Sequence, residues 1–249
     1  MNKSYNYKDF RIEILYEDSD IAILNKPSGL LTHKKNEFDE SPSLQDSLKD
    51  QFTIDDGENF KEGIVHRLDK DTSGIIVITK NLISKNKFRE MFKKRNIKKN
   101  YLAFAYGVLN QNNIEINRNI TRNKVQRTKF NISDNLGKNA ITKVSNIRTF
   151  QGSISLLDCE IITGRTHQIR VHLLSLGLPI IGDKDYRFNK EQKFRLNNMT
   201  DNLRNLVSLF PRQALHSHKI EFDHPILEKH IIITCDLPND MKDLNNNLQ

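Results

Sequence analysis

Alternation of apolar and polar positions first becomes regular at Arg11-Ile12-Glu13-Ile14-Leu15-Tyr16, which carries the two-residue period of a strand. Glu17-Asp18-Ser19-Asp20 reads as a turn, and the apolar run from Ile21 to Leu24 predicts a second strand that Lys26-Pro27-Ser28-Gly29 breaks. Residues 34–62 are polar and partly acidic, a surface excursion with a short helix after Ser43. Apolar runs around 64–68 and 74–79 predict two more strands, separated by charges. Asn81 is placed to cap a helix over 82–98 whose buried side carries Phe88, Met91 and Phe92. Strand-like runs recur at 101–109, 114–118, 140–149 and 153–162. The polar, basic stretch 119–139 between two of them suits a flexible loop or a hairpin.

Thr163 is placed to cap a helix from about 165 to 176, closed by Gly177 and Pro179. A polar insertion with a short helix follows over 186–211, then strands at 213–222 and 230–236. Residues 1–10 read as a polar tail, and residues 237–249, ending in NNNLQ, as a disordered one. Strands mostly follow strands, with few helices between. That order predicts an α+β fold, a single domain over 11–236 with a mixed, largely antiparallel sheet flanked by helices and loops.

Charge adds a partner to this picture. Lys and Arg number 39 against 31 Asp and Glu, a net charge of +8. A basic chain suits a polyanion, nucleic acid first. Cys159 and Cys235 sit in apolar strand-like runs and read as small core residues of a reducing compartment. The N-terminal MNKSYNYKDF has no apolar signal core, and no run approaches the ~20 apolar residues that span a bilayer. A cytoplasmic protein is expected.

Four stretches could carry chemistry. In GIVHRLDKDTSG, residues 63–74, Asp69 is either a turn aspartate or a carboxylate set against apolar strands, where it needs a compensating cation. Arg67 and Lys70 are local candidates, and residues 67 and 69 would share a face if the segment were a strand. In ITGRTHQIRVHLLSLGLPIIGDKDY, Arg165 falls at a predicted helix start, where the dipole disfavours a cation. It points either to water or to a buried carboxylate. Thr166 and Gln168 could supply capping bonds, Arg170 could line the same region, and His172 suits packing. In NYLAFAYG, Tyr101 is either core or a platform for a nucleobase. In RQALHSHKIEFDHP, His216 and His218 share a face without the acid or thiol neighbours of a metal site. The 82–98 helix is crowded with Lys93, Lys94, Arg95, Lys98 and neighbouring Lys99, and Arg122, Lys124 and Arg127 follow in the basic stretch. Such runs are solvated faces or phosphate contacts.

Taken in order, LNKPSGLLTH, GIVHRLDKDTSG, KKNYLAFAYG, TGRTHQIRVHLLSLGLPIIGDKDY and RQALHSHKIEFDHP resemble the RluA-type pseudouridine synthases over roughly residues 11–235. The resemblance implies an isomerase that detaches uracil from ribose at nitrogen 1, turns it over and rejoins it through carbon 5, in rRNA or tRNA, with no cofactor or metal. It implies Asp69 as the essential carboxylate, Arg165 as its partner, and Tyr101 stacked on the flipped base. Arg67 would fill the gap left by that base. His66, Thr166, Gln168 and Arg170 would line the substrate, and the basic residues from Lys93 to Lys99 and from Arg122 to Arg127 would hold RNA phosphates. A small S4-type RNA-binding domain found in several relatives is not expected before the first strand, and a monomer is the default. Two rivals stand beside this reading. Asp69-Lys70-Asp71-Thr72 fits the D-x-D-x-T pattern of magnesium-dependent phosphatases, though without an uninterrupted apolar strand before it. A ribosome-assembly protein that kept the fold without the chemistry is the other.

Overall fold

A computed structural model of the chain describes residues 3–34, 36, 38–49, 51–54, 63–109, 111–187 and 199–249. Residues 55–62 of the expected surface excursion and 188–198 of the later insertion lie outside the described residues. The chain divides into two compact units, Met1–Lys99 with Ser217–Asp236, and Asn100–His216 with Leu237–Gln249.

In the first unit the sheet order is β1 (Lys3–Tyr7), β2 (Phe10–Glu17), β3 (Ile21–Lys26), β4 (Ser73–Thr79) and then β10 (Leu215–Asp223), with β11 (His230–Thr234) pairing β10. The β1–β2, β2–β3, β3–β4 and β10–β11 pairs are antiparallel. Helix α1 (Leu44–Lys49) starts where expected, with Ser43 Oγ accepting from the Asp46 amide. Helix α2 (Leu82–Lys94) begins at Asn81, whose side chain accepts from Ser84 N at 2.8 Å. It buries Phe88 against Phe222, ring centroids 5.2 Å apart, in a core with Ile21, Ile23, Ile75, Val77 and Ile220. Truncating Phe88 to alanine there would cost about 3–5 kcal/mol.

The second unit holds β5 (Lys98–Tyr106), β9 (Ile154–Ile161), β8 (Lys138–Phe150), β6 (Asn113–Arg122) and β7 (Phe130–Ser133), in that order and antiparallel throughout. Helix α3 (Gln168–Ser175) packs on β6, β7 and β8. Helices α4 (Asp201–Ser208) and α5 (Asn239–Asn247) pack on each other. An α+β fold with a largely antiparallel sheet is what the strand pairing shows. Both cysteines are buried, with no disulfide between them.

Several elements differ from the sequence reading. The expected N-terminal tail forms β1, with Lys3 opposite Ile14 and Tyr7 opposite Phe10. Its backbone pairing and the edge contact of Tyr5 with Phe52, at 6.1 Å, are invisible to hydropathy. The expected C-terminal tail contains α5: Met241, Leu244 and Leu248 are spaced to share one buried stripe, diluted in the sequence by asparagines. Its Asp240 accepts two bonds from Arg212, at 2.7 and 2.9 Å. The segment 64–68 is not a strand. It meets β4 through one bridge, Ile64 to Ile78, and through Thr79 N to Gly63 O at 2.9 Å. Helix α2 ends four residues early at Arg95, in the left-handed region with φ 64°, and Lys98 already belongs to β5. Lys85 is fully buried despite its charge, because the helical period places 85 with 88 and 92. Of the two alternatives for the basic stretch, a loop or a hairpin, the structure shows the hairpin, β6 paired with β7.

Candidate active site

Two glycines bound the Asp69 segment, and both are required. Gly63 has φ +73°, and a Cβ there would lie 1.9 Å from Thr79 O; Gly74 has φ +110°, and its Cβ would lie 2.2 Å from Ser217 O. The chain between them is therefore pressed against β4 at one end and β10 at the other. Asp69 itself sits between two clamped neighbours. Thr32 Oγ1 donates to Leu68 O at 2.8 Å and accepts from Leu68 N at 3.2 Å. Lys26, fully buried, donates to the carbonyls of Lys70, Pro27 and Leu30 at 3.0, 2.8 and 2.7 Å. Three carbonyls match the three donors of an ammonium, the condition under which a cation can be buried. Gly29 N adds a bond to Lys70 O at 3.0 Å, and Thr72 N closes the turn onto Asp69 O at 3.1 Å. The result is a half-buried carboxylate on a backbone that cannot readily move.

The same segment separates His66 from Arg67. Val77 N in β4 donates to His66 Nε2 at 2.8 Å, and the imidazole lies against Phe92, centroids 4.9 Å apart. Nε2 is thus an acceptor, and burial holds the ring neutral, its pKa lowered to about 3, with nearby Lys99 and His33 adding to the shift. His66, expected to line the substrate, accepts from the backbone of β4, an interior strand of the sheet. Arg67 is exposed, while Leu68 is buried, so the loop turns one cation outward and holds the acid beside it. Residues 67 and 69 share no strand face, because the segment between Ile64 and Asp69 is not a strand.

In the second unit, Tyr101 lies in β5 opposite Cys159 and is 6% exposed. Arg165 is not at a helix start. Helix α3 begins at Gln168, and Arg165 stands three residues before it, so the helix dipole does not act on it as expected. Thr163 does not cap the helix either. Its Oγ1 accepts from Ile141 N at 2.9 Å and donates to Gln168 Oε1 at 2.7 Å. Gln168 is the hub of this bend: Oε1 also accepts from Arg165 N at 3.0 Å, and Nε2 donates to Ile141 O and Thr142 Oγ1, both at 2.9 Å. The Arg165 guanidinium extends from this bend and donates through Nε to Asn139 O at 3.0 Å. Thr166 is half-buried beside it.

Arg170, expected to meet substrate, is buried and committed to acids. Nε and Nη2 donate to Asp183 at 2.7 and 2.9 Å, and Nη2 reaches Asp185 at 3.0 Å. Position relative to the helix decides this: Arg165 precedes α3, whereas Arg170 is inside it and faces the Gly182-Asp183 turn. His172 packs as expected, Nδ1 at 2.8 Å from Thr142 Oγ1, with burial lowering its pKa to about 4.

The basic residues are of several kinds. Lys93 and Arg95 are exposed at the end of α2, where Lys94 pairs with Glu90 at 2.7 Å. Lys98 pairs with Glu221 at 2.7 Å. Lys99 is half-buried, 5.2 Å from the centre of the Phe92 ring, and burial lowers its pKa to about 8. On the β6–β7 hairpin Arg122 lies 5.6 Å from the centre of the Phe130 ring, and Lys124 and Arg127 are exposed on the turn. That turn is ordered: Asn123 Oδ1 accepts from Val125 N and Gln126 N at 2.9 and 2.8 Å.

Residues 20–175 match the model of the family described as RNA pseudouridylate synthase. The chain belongs to that family. Ribosomal large subunit pseudouridine synthase D of Buchnera aphidicola subsp. Schizaphis graminum is 38% identical over 248 residues, covering 95% of this chain and 73% of that protein. The Bacillus subtilis protein called uncharacterized RNA pseudouridine synthase YhcT is 36% identical over 234 residues, covering 94% of this chain and 71% of its own. The solved structure of human RNA pseudouridylate synthase domain containing 4 superposes with a TM-score of 0.68 at 23% identity, covering 94% of this chain and 92% of that one, a likeness of fold. This pseudouridine synthase isomerises uridine in RNA, as the ordered motifs imply, and neither rival reading is favoured. The phosphatase pattern fails locally too, because the strand it needs before Asp69 is the loop 64–68 and the strand follows at Ser73.

Lys26 and Thr32 were missed in the sequence because Lys70 and Leu68, which tie them to the Asp69 segment, lie 44 and 36 residues away. A lone lysine ending an apolar run was the available signal for the first. Gln168 and Arg170 were found, but as substrate contacts rather than as supports.

Proposed function

We propose that this pseudouridine synthase acts on ribosomal large-subunit RNA, as a monomer in the cytoplasm, with Asp69 as its essential carboxylate. The observation that carries the assignment is the clamp on both neighbours of Asp69, Leu68 held by Thr32 and Lys70 by Lys26. Preorganising one acid this closely costs a buried cation, which an ordinary surface turn does not require. Arg165 pairs with the carboxylate during the reaction and keeps it ionised, and Tyr101 stacks on the turned-out uracil. Arg67 stacks into the space the nucleotide leaves, where a planar guanidinium offsets part of an unstacking cost of a few kcal/mol. Lys93, Arg95, Lys124 and Arg127 hold phosphates, with Lys94, Lys98, Lys99 and Arg122 as neighbours. His66, Gln168 and Arg170 support the site from behind, and Thr166 flanks the substrate beside Arg165. The substrate class is supported by the relatives named for the ribosomal large subunit. No helix among the described residues is long and apolar enough to cross a membrane.

The test has two arms. Chemical mapping of pseudouridine across rRNA and tRNA, with and without the gene, should lose one or more sites in large-subunit rRNA; loss confined to tRNA refutes the substrate assignment. Purified Asp69→Asn should bind RNA as tightly as the wild type and convert none of it. Retained conversion removes Asp69 from its role.

A further inference from the structure

A run of contacts inside the second unit joins the basic hairpin tip to the bend that carries Arg165. At the tip, Asn123 N donates to Lys129 O at 2.9 Å and Lys129 N to Gln126 O at 2.8 Å, so the turn is a formed element. Its exit is Phe130, the first residue of β7, whose ring lies under Arg122. The amide of Phe130 donates to Tyr186 Oη at 2.8 Å, and the same phenol oxygen lies 2.8 Å from His167 Nδ1. With the amide taken by the phenol oxygen, we assign the phenol hydrogen to Nδ1. The His167 ring meets Phe130 and Tyr186 edge-on, both at 5.5 Å.

His167 follows Arg165 by two residues and immediately precedes α3. Its φ is 56°, the left-handed region that a non-glycine residue rarely adopts without support. Tyr186 is itself fixed. Asp183 Oδ1 accepts from its amide at 3.0 Å, Asp183 is held by Arg170, and the Arg170 guanidinium lies 4.8 Å from the centre of the Tyr186 ring. Burial pushes the Tyr186 phenol up to about 12, so it keeps its hydrogen through the neutral range. The strained residue, the fixed phenol and the hairpin amide meet at a point between the proposed phosphate contacts and the proposed catalytic guanidinium.

We propose that His167 and Tyr186 are positioning residues that tie the basic β6–β7 hairpin to the Arg165 bend, so that RNA held by the hairpin sets the guanidinium for reaction. This rests on the roles given above to Arg165 and the hairpin. RNA that engages the tip loads Arg122 and Phe130. The Phe130 amide transmits that load to Tyr186, and Tyr186 holds the left-handed turn from which Arg165 projects.

The test uses the full-length protein and unmodified large-subunit rRNA carrying 5-tritiated uridine. Tritium release gives the single-turnover rate at saturating RNA, and filter binding gives affinity separately. Tyr186→Phe keeps the ring and removes the oxygen; the saturated rate should fall about tenfold with affinity changed less than about twofold. The double variant Arg122→Ala, Arg127→Ala should lose saturated rate as well as affinity. Combining it with Tyr186→Phe should lower the saturated rate no further than the larger single effect. At position 167, asparagine and glycine both tolerate a left-handed backbone, but only asparagine can accept the phenol hydrogen. His167→Asn should therefore keep most of the rate that His167→Gly loses. Multiplying losses in the combined variant, or equal rates for the 167 pair, would overturn the proposal. If Tyr186→Phe melts below the assay temperature, the 167 pair decides. Arg165→Ala, run alongside, separates the two readings: an unaltered rate there sinks the role of Arg165 itself, whereas a lowered rate with independent hairpin effects sinks only the link.

Discussion

Acid should destabilise this protein through His66, and the size of the effect follows from how far burial holds its ring neutral. Val77 N–H points at Nε2 from 2.8 Å, so a proton on Nε2 would face another donor hydrogen in a buried setting. Burial, with Lys99 and His33 adding to it, keeps the folded imidazole unprotonated down to about pH 3, against an ordinary value near 6.5. In the unfolded chain the ring takes up its proton as pH falls through 6.5, so below that value unfolding binds a proton that the folded state refuses. Stability from this group is present in full above 6.5 and is lost progressively between 6.5 and 3. At pH 5 the drop is one and a half pH units, each worth ~1.4 kcal/mol, or ~2 kcal/mol in all. His172, its pKa lowered to about 4 by burial, acts in the same direction, so wild-type behaviour alone does not isolate His66. The comparison is with His66→Gln, whose side-chain oxygen can accept the Val77 amide without titrating. Urea unfolding at pH 7 and pH 5 should show the wild type losing ~2 kcal/mol more than the variant. Parallel losses in the two proteins would mean that the folded His66 ring is not held neutral, and its Nε2 could not then accept from Val77 N at pH 5.

Three further outcomes are expected. Arg165→Ala should lower the single-turnover rate on the order of a hundredfold while leaving urea stability nearly unchanged, since among the described residues its side chain holds one carbonyl, that of Asn139; an unaltered rate at neutral pH contradicts its role. Gln168→Ala removes four bonds, yet Thr163, Thr142 and Ile141 each keep another partner and chiefly Arg165 N is stranded, so the cost should be ~2–4 kcal/mol by urea unfolding rather than the full penalty for every partner. A loss under ~1 kcal/mol would show that the bend does not depend on it. Replacing Lys93, Lys124 and Arg127 together by glutamine should flatten the slope of log affinity against log salt by about 2, at roughly 0.7–0.9 for each phosphate no longer neutralised; an unchanged slope would place the RNA elsewhere.

The features legible along the chain were local ones. Alternation and apolar runs placed β2 to β6 and β8 to β11, Asn81 marked the start of α2, and five ordered motifs brought Asp69, Tyr101 and Arg165 forward as candidates. Such features depend on neighbours within a few residues, so spacing reports them. Which charges the fold engages, and which it leaves toward the surface, was decided by packing between distant segments. Arg165 and Arg170 look equivalent in the sequence, but Arg170 meets Asp183 at 2.7 Å while Arg165 extends from a bend that Gln168 builds. Lys26 and Lys93 differ in the same way, one satisfied by three carbonyls and the other exposed. The β1 strand and α5 helix also came only from the folded chain, because their stability rests on a partner strand and a docked face. A side chain's role is set by the groups that chain folding brings within hydrogen-bonding range, and most of those lie tens of residues away in sequence.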